Sequence, residues 1–159
     1  MILKQYVLLI LTLFLGPLFG GILAYIAPEE LKIGKKYFIY LQKALIYIII
    51  FFLLFNIKID LFTSILSAIL IALTFFRKDD FVIAFYLMGF VIYGSLIITN
   101  TLIIQSSLIF IFGIISGINY CMQYEKNERI TKPFFNLIGE LIVKYFLFVI
   151  LAILPYWLL

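Results

Sequence analysis

The sequence predicts an all-α integral membrane protein, built as one bundle of six transmembrane helices with short loops. Of its 159 residues, 66% are apolar and only 13% are charged, and the mean hydropathy is +1.24. Soluble domains are about 45–50% apolar and about 25% charged, so lipid is expected to surround most of the surface. The apolar residues also fall into long runs with short polar breaks. These observations indicate a single membrane domain over residues 1–159.

Six runs have the length of a spanning helix, which is about 17–25 mainly apolar residues. They are expected at about 5–27, 37–57, 60–76, 81–99, 101–122 and 134–158. The first has no small-x-small cleavage site and is interpreted as a retained helix, kinked at Pro17. The third is the shortest, reaching about 24 Å against a hydrocarbon core of about 30 Å. It either spans fully or forms a re-entrant hairpin, which would place the two termini on opposite sides.

The break after the first predicted helix begins with Pro28, Glu29 and Glu30. Proline in a first turn followed by acidic residues favours the start of a short helix, which Gly34 is expected to end. This short helix is predicted to lie along the inner interface. The Glu29-Glu30 pair is similar to that of the intramembrane CAAX-type proteases. That family also needs downstream histidines, and the chain has none, so the match is excluded.

The orientation follows from the positive charges. Eight of the twelve Lys and Arg residues fall in the loops after predicted helices one, three and five: Lys32, Lys35, Lys36, Arg77, Lys78, Lys126, Arg129 and Lys132. The opposite side carries only Lys4 and Lys58. Because cytoplasmic loops are enriched in Lys and Arg, we expect a multi-pass protein of the cytoplasmic membrane with both termini outside.

Small residues at four-residue spacing indicate close helix packing, because helices in lipid associate through small side chains rather than by hydrophobic burial. The stripes are Gly16, Gly20 and Ala24 on the first predicted helix, Ser64, Ala68 and Ala72 on the third, and Gly113 and Gly117 on the fifth. They are expected to face inward and pack within the chain. The alternative function of the first stripe is a dimerisation face.

Three charges lie inside predicted spans: Lys43 on the second helix, and Glu140 and Lys144 on the sixth. A charge at mid-helix costs about 2.5–3.5 kcal/mol on insertion scales and marks a candidate site. Glu140 and Lys144 are four residues apart and share a helix face. Lys43 and Glu140 lie at similar depth, which permits a bridge between helices two and six.

The functional interpretation of these charges is a polar pocket that opens to the cytoplasm and binds an anion, a lipid headgroup or a coupling proton. The structural alternative is that Lys43 reaches the interface while Glu140 and Lys144 neutralise each other. Further polar residues could extend the site or simply form interhelical hydrogen bonds: Gln105, Asn119, Gln42 and Ser106.

Several function classes are excluded by composition. The chain has no histidine and one cysteine, Cys121, so the commonest general base and metal ligand are absent and no internal disulfide can form. No cofactor or metal is expected. Asp79-Asp80 beside Arg77-Lys78 is typical of a solvated turn, and Ser95 has no histidine base. The scattered positive charges do not indicate nucleic acid binding.

The leading hypothesis is a non-enzymatic membrane component, either a small transporter or a membrane-embedded subunit of a complex. Its expected partners are membrane lipids and, in a complex, other membrane subunits. The alternatives are an intramembrane enzyme that acts on a lipid-like substrate through Glu140 and Lys144, and a structural or immunity-type interaction protein.

Overall fold

The computed structural model describes residues 3–56, 61–76, 81–96, 99–127 and 134–158. These residues form six α-helices, which confirms the all-α prediction: α1 (Leu3–Ile26), α2 (Pro28–Asn56), α3 (Leu61–Phe76), α4 (Val82–Ser95), α5 (Thr99–Asn127) and α6 (Phe134–Leu158). Four stretches are long and apolar enough to cross a membrane: Leu3–Ile26, Ile33–Leu54, Thr101–Met122 and Phe135–Pro155. The helices α3 and α4 are shorter, with 16 and 14 residues, or about 24 and 21 Å.

Several predicted boundaries differ from the structure, including the end of α5, which lies at Asn127 rather than near residue 122. The helix that starts at Pro28 continues to Asn56, so the separate interfacial helix ending at Gly34 is not formed. Gly34 keeps a helical conformation within α2. A glycine that caps a helix C-terminus needs a positive φ, and no described glycine has one. The helix α4 ends at Ser95 rather than near residue 99, because the Leu96 N–H donates to the Tyr93 carbonyl in a tight turn.

Four helices form the centre of the bundle. In the described part of the chain, α1 and α4 each pack against both α5 and α6, so α5 and α6 stand diagonally opposite. The space between the four helices is filled by aromatic rings. The Phe85 ring centroid lies 4.4 Å from that of Phe148, 5.4 Å from Tyr145 and 6.4 Å from Phe112. All four side chains are fully buried.

The closest packing in the bundle joins α1 to α5. A Cβ atom built on Gly20 would lie 1.9 Å from the Ile114 carbonyl oxygen, and one on Gly117 would lie 2.1 Å from the Pro17 carbonyl oxygen. Gly16 and Gly113 make similar close approaches, and Ala24 is buried on the same face. These contacts place the two glycine stripes face to face within one chain.

The remaining two helices form an outer layer, with α2 packed on α5 and α3 packed on α2. The Tyr47 hydroxyl and the Thr74 hydroxyl lie 3.0 Å apart across α2 and α3. The buried face of α3 carries Leu66, Ser67, Leu70 and Thr74. Ala68 is exposed, so the predicted inward stripe on this helix is wrong. Larger side chains and a hydroxyl pair make the contact instead.

The outer surface is strongly apolar. Side chains such as Leu8, Ile33, Phe51 and Ile103 are between 60% and 83% exposed. Soluble monomers rarely expose apolar area of this extent. Together with the four long apolar helices, it suggests association with a membrane.

Candidate functional site

The candidate site lies where α1 and α5 end and α6 begins. Gly21 brings these three helices together, because a Cβ atom built there would meet Leu141 on α6 at 2.2 Å and Cys121 on α5 at 3.7 Å. Beside this junction, an open groove of about 730 Å³ separates α5 from α6. The groove is lined by Tyr120 of α5 and by one face of α6, comprising Phe135, Asn136, Gly139, Glu140, Val143 and Lys144.

Both charges of α6 therefore line the same groove. Asn136, Glu140 and Lys144 follow at intervals of four residues, which places them on one helix face. Glu140 and Lys144 are half-buried, whereas Asn136 is exposed at the mouth. The groove thus offers a carboxylate, an ammonium group and an amide along about two turns of helix.

The Lys144 side chain is held by an aromatic ring. Its ammonium nitrogen lies 4.1 Å from the centroid of the Tyr120 ring, a cation–π distance. The backbone at the same position accepts a hydrogen bond from the Tyr86 hydroxyl of α4. The next residue, Tyr145, belongs to the central aromatic cluster. The Lys144 ammonium group is therefore positioned by Tyr120 of α5. The Lys144 backbone is held by Tyr86 of α4.

The mouth of the groove is apolar. Phe135 is 84% exposed and Val143 is 79% exposed, and both line the groove together with the charged pair. A headgroup could contact Glu140 and Lys144 while an attached chain runs over these two side chains into lipid.

Asn119, a predicted member of the site, lies elsewhere. Its side-chain nitrogen donates to the Gln42 carbonyl oxygen at 2.8 Å, and the Gln42 nitrogen donates to the Ser116 hydroxyl at 2.8 Å. All three residues are buried. This network links α2 to α5 and is not part of the groove lining.

Gln105 takes part in a second interhelical contact, where its carbonyl oxygen accepts a hydrogen bond of 2.9 Å from the Ser95 hydroxyl of α4. It lies about 21 Å along α5 from Asn119. Within the described residues, the Gln105 side-chain nitrogen and the Asn119 side-chain oxygen have no hydrogen-bond partner. The distance between the two amides shows that they do not form one pocket.

Lys43 is half-buried on α2, next to Gln42 and outside the groove lining. Its helix packs mainly on α5 and α3, whereas α6 packs on α4 and α1. The structure therefore brings Glu140 and Lys144 together but places Lys43 in a different helix pair.

The groove contains residues that were not predicted. Asn136 and Val143 are three or four positions from Glu140, so helical spacing alone would have found them. No sequence pattern identifies Tyr120, because its contact with Lys144 depends on how α5 and α6 are placed relative to each other in the folded bundle. Among the described residues, no group of three or more Cys, Asp or Glu side chains is placed to hold a metal ion.

Comparisons with known proteins return no match: no family model, no curated protein and no solved structure corresponds to this chain. The groove and the exposed apolar surface are therefore the features that bear on function.

Proposed function

We propose that this protein is a non-enzymatic component of the cytoplasmic membrane that binds an amphiphile in the groove between α5 and α6, alone or as a subunit of a complex. The observation that carries the proposal is that Glu140 and Lys144, two costly charges within an apolar helix, line one open groove with an apolar mouth.

Binding is favoured over passage of a solute through the centre of the bundle. The space between α1, α4, α5 and α6 contains the closely packed rings of Phe85, Phe112 and Phe148. Phe85 and Phe148 are in direct contact, with centroids 4.4 Å apart. A solute on this route would have to displace buried rings, whereas a ligand in the groove would not.

The proposed topology has six crossings with both termini outside, so that the groove opens toward the cytoplasm. It is supported by the concentration of Lys and Arg at the groove end of the bundle, in the N-terminal part of α2, in the sequence after α3 and around the end of α5. The helices α3 and α4 are short for a core of about 30 Å. They would cross with local thinning of the bilayer or with tilt of the longer neighbours.

Cysteine labelling tests this topology. In a Cys121→Ala background, Gln5→Cys is expected to react with a membrane-impermeant thiol reagent in intact cells. Lys36→Cys and Lys78→Cys are expected to react only after permeabilisation, because they belong to the cytoplasmic side. Gln5 and Lys36 are both exposed in the structure. Labelling of position 36 or 78 from outside would contradict the proposed topology.

Charge variants test the binding proposal. Lys144→Met and Glu140→Gln are expected to reduce retention of copurified phospholipid about tenfold, since hydrogen bonds to charged groups contribute about 1.5–3 kcal/mol. Native mass spectrometry of the detergent-purified protein measures the lipid-bound fraction. Lys43→Met is the matched control, because it removes a half-buried lysine outside the groove. Equal retention in all three variants would reject the proposal.

The same geometry also favours a second function, an enzyme that acts on a lipid-like substrate, because a carboxylate and an ammonium group share one groove. The two functions differ in turnover. A labelled phospholipid that is bound and recovered unchanged supports binding, whereas conversion that Glu140→Gln stops supports the enzyme.

A further inference from the structure

We infer that the groove takes the headgroup of an aminophospholipid, a phosphate joined through a short bridge to a primary ammonium group. This inference rests on the proposed binding function and specifies the chemistry of the ligand. It follows from the charge pattern, the spacing and the space around Glu140 and Lys144.

The charge pattern favours a zwitterion. Among the described residues that line the groove, the charged groups are the Lys144 ammonium group and the Glu140 carboxylate. A purely anionic headgroup would pair with Lys144 but be repelled by the Glu140 carboxylate at close range. A headgroup with one negative and one positive group can meet both side chains with charge-assisted hydrogen bonds.

The spacing fits a compact headgroup. Residues four apart on a helix have Cβ atoms about 5–6 Å apart, a spacing comparable to that of a phosphate and an ammonium joined by two carbons. The phosphate would bind the Lys144 side and the ammonium the Glu140 side. The exposed Asn136 amide, one turn before Glu140, adds a donor and an acceptor at the mouth.

A primary amine is favoured over a quaternary one. Three N–H groups can donate to the Glu140 carboxylate, which a trimethylammonium group cannot do. Quaternary ammonium groups are instead recognised by aromatic faces, and the Tyr120 ring in this groove already contacts the Lys144 ammonium group at 4.1 Å. The groove is thus poorly suited to a choline headgroup.

The surroundings of the charged pair are open on one side and apolar on another. A Cβ atom built on Gly139 would meet nothing within 4 Å, so the helix surface beside Glu140 is open. Phe135 and Val143 then provide exposed apolar surface next to the charges, which acyl chains can cover. Free phosphoethanolamine would leave this surface uncovered, so the lipid is the expected source of the headgroup.

The test is native mass spectrometry of the full-length protein equilibrated with an equimolar mixture of phosphatidylethanolamine, phosphatidylcholine and phosphatidylglycerol. Phosphatidylethanolamine is expected to be retained at least about fivefold more than either competitor, the scale of one hydrogen-bonded charge contact. Glu140→Gln is expected to shift the preference toward phosphatidylglycerol, and Lys144→Met to remove retention of all three. Lys43→Met should retain the wild-type pattern.

The outcomes separate the two proposals. Equal retention of phosphatidylethanolamine and phosphatidylcholine, or a preference for phosphatidylglycerol in the wild type, overturns the aminophospholipid inference while the groove still binds lipid. Absence of lipid retention overturns both. Displacement of the lipid by millimolar phosphoethanolamine would overturn the lipid as source, whereas resistance to it supports the inference. Thermal unfolding of each variant verifies that its fold is intact.

Discussion

Gly20→Ala is expected to destabilise the protein by about 3 kcal/mol or more, at the upper end of the cost of overpacking a core. The added methyl group would lie 1.9 Å from the Ile114 carbonyl oxygen and 2.8 Å from its carbon. These are backbone atoms of α5, so no side-chain rotation can relieve the clash. The helices α1 and α5 would have to separate along their whole contact, including the approach of Gly117 to Pro17.

Gly139→Ala is the matched control for this substitution. Gly139 is also a helical glycine, but a Cβ atom there has no neighbour within 4 Å. Alanine is favoured over glycine in a helix by up to about 1 kcal/mol, so this variant should be equal to or more stable than the wild type. Thermal unfolding in detergent, followed by circular dichroism, compares the two. Similar midpoints for both variants would show that α1 and α5 are not packed backbone to backbone.

Phe85→Ala is expected to cost about 3–5 kcal/mol, the usual range for truncating a buried phenylalanine. The Phe85 ring contacts three other buried rings, from α5 and α6, and its loss would leave a cavity at the centre of the four-helix core. In lipid, the loss of stability would come mainly from lost packing contacts, because lipid tails are as apolar as the core. The weakened contact should also reduce the stability of the α4–α6 pair.

Phe51→Ala provides the comparison, since Phe51 is 60% exposed on α2 and lies outside the central cluster. Its truncation should change the unfolding midpoint little. Chemical or thermal unfolding of both variants in the same detergent measures the difference. If Phe85→Ala were as mild as Phe51→Ala, the aromatic cluster would not be the structural centre of the bundle.

The helices themselves were predictable, because long apolar runs bounded by charges and prolines have few alternative structures in lipid. The four-residue spacing of Gly16, Gly20, Gly113 and Gly117 also indicated close packing. What it did not indicate was that these two stripes face each other. Which helices become neighbours depends on the whole set of packing contacts rather than on any local pattern.

The charged site shows the same limit. Helical spacing grouped Glu140 with Lys144, because both lie on one helix, and the structure places both along one groove. The suggested bridge to Lys43 was based on equal depth in the membrane, and depth says nothing about lateral position. The close approach of Gly89 on α4 to Ala152 on α6, with a built Cβ 3.0 Å from the Ala152 nitrogen, was missed for a similar reason: each residue is isolated in the sequence.

The pairing of α1 with α5 has a consequence for biogenesis. The two contact surfaces are separated by roughly 90 residues of chain, which a ribosome makes in roughly 5–20 s at typical elongation rates. During that interval α1 has already been made and lacks its eventual neighbour. Its glycine surface is then available to the insertion machinery or to a second nascent chain, so a product truncated before α5 would be the form most prone to aberrant association.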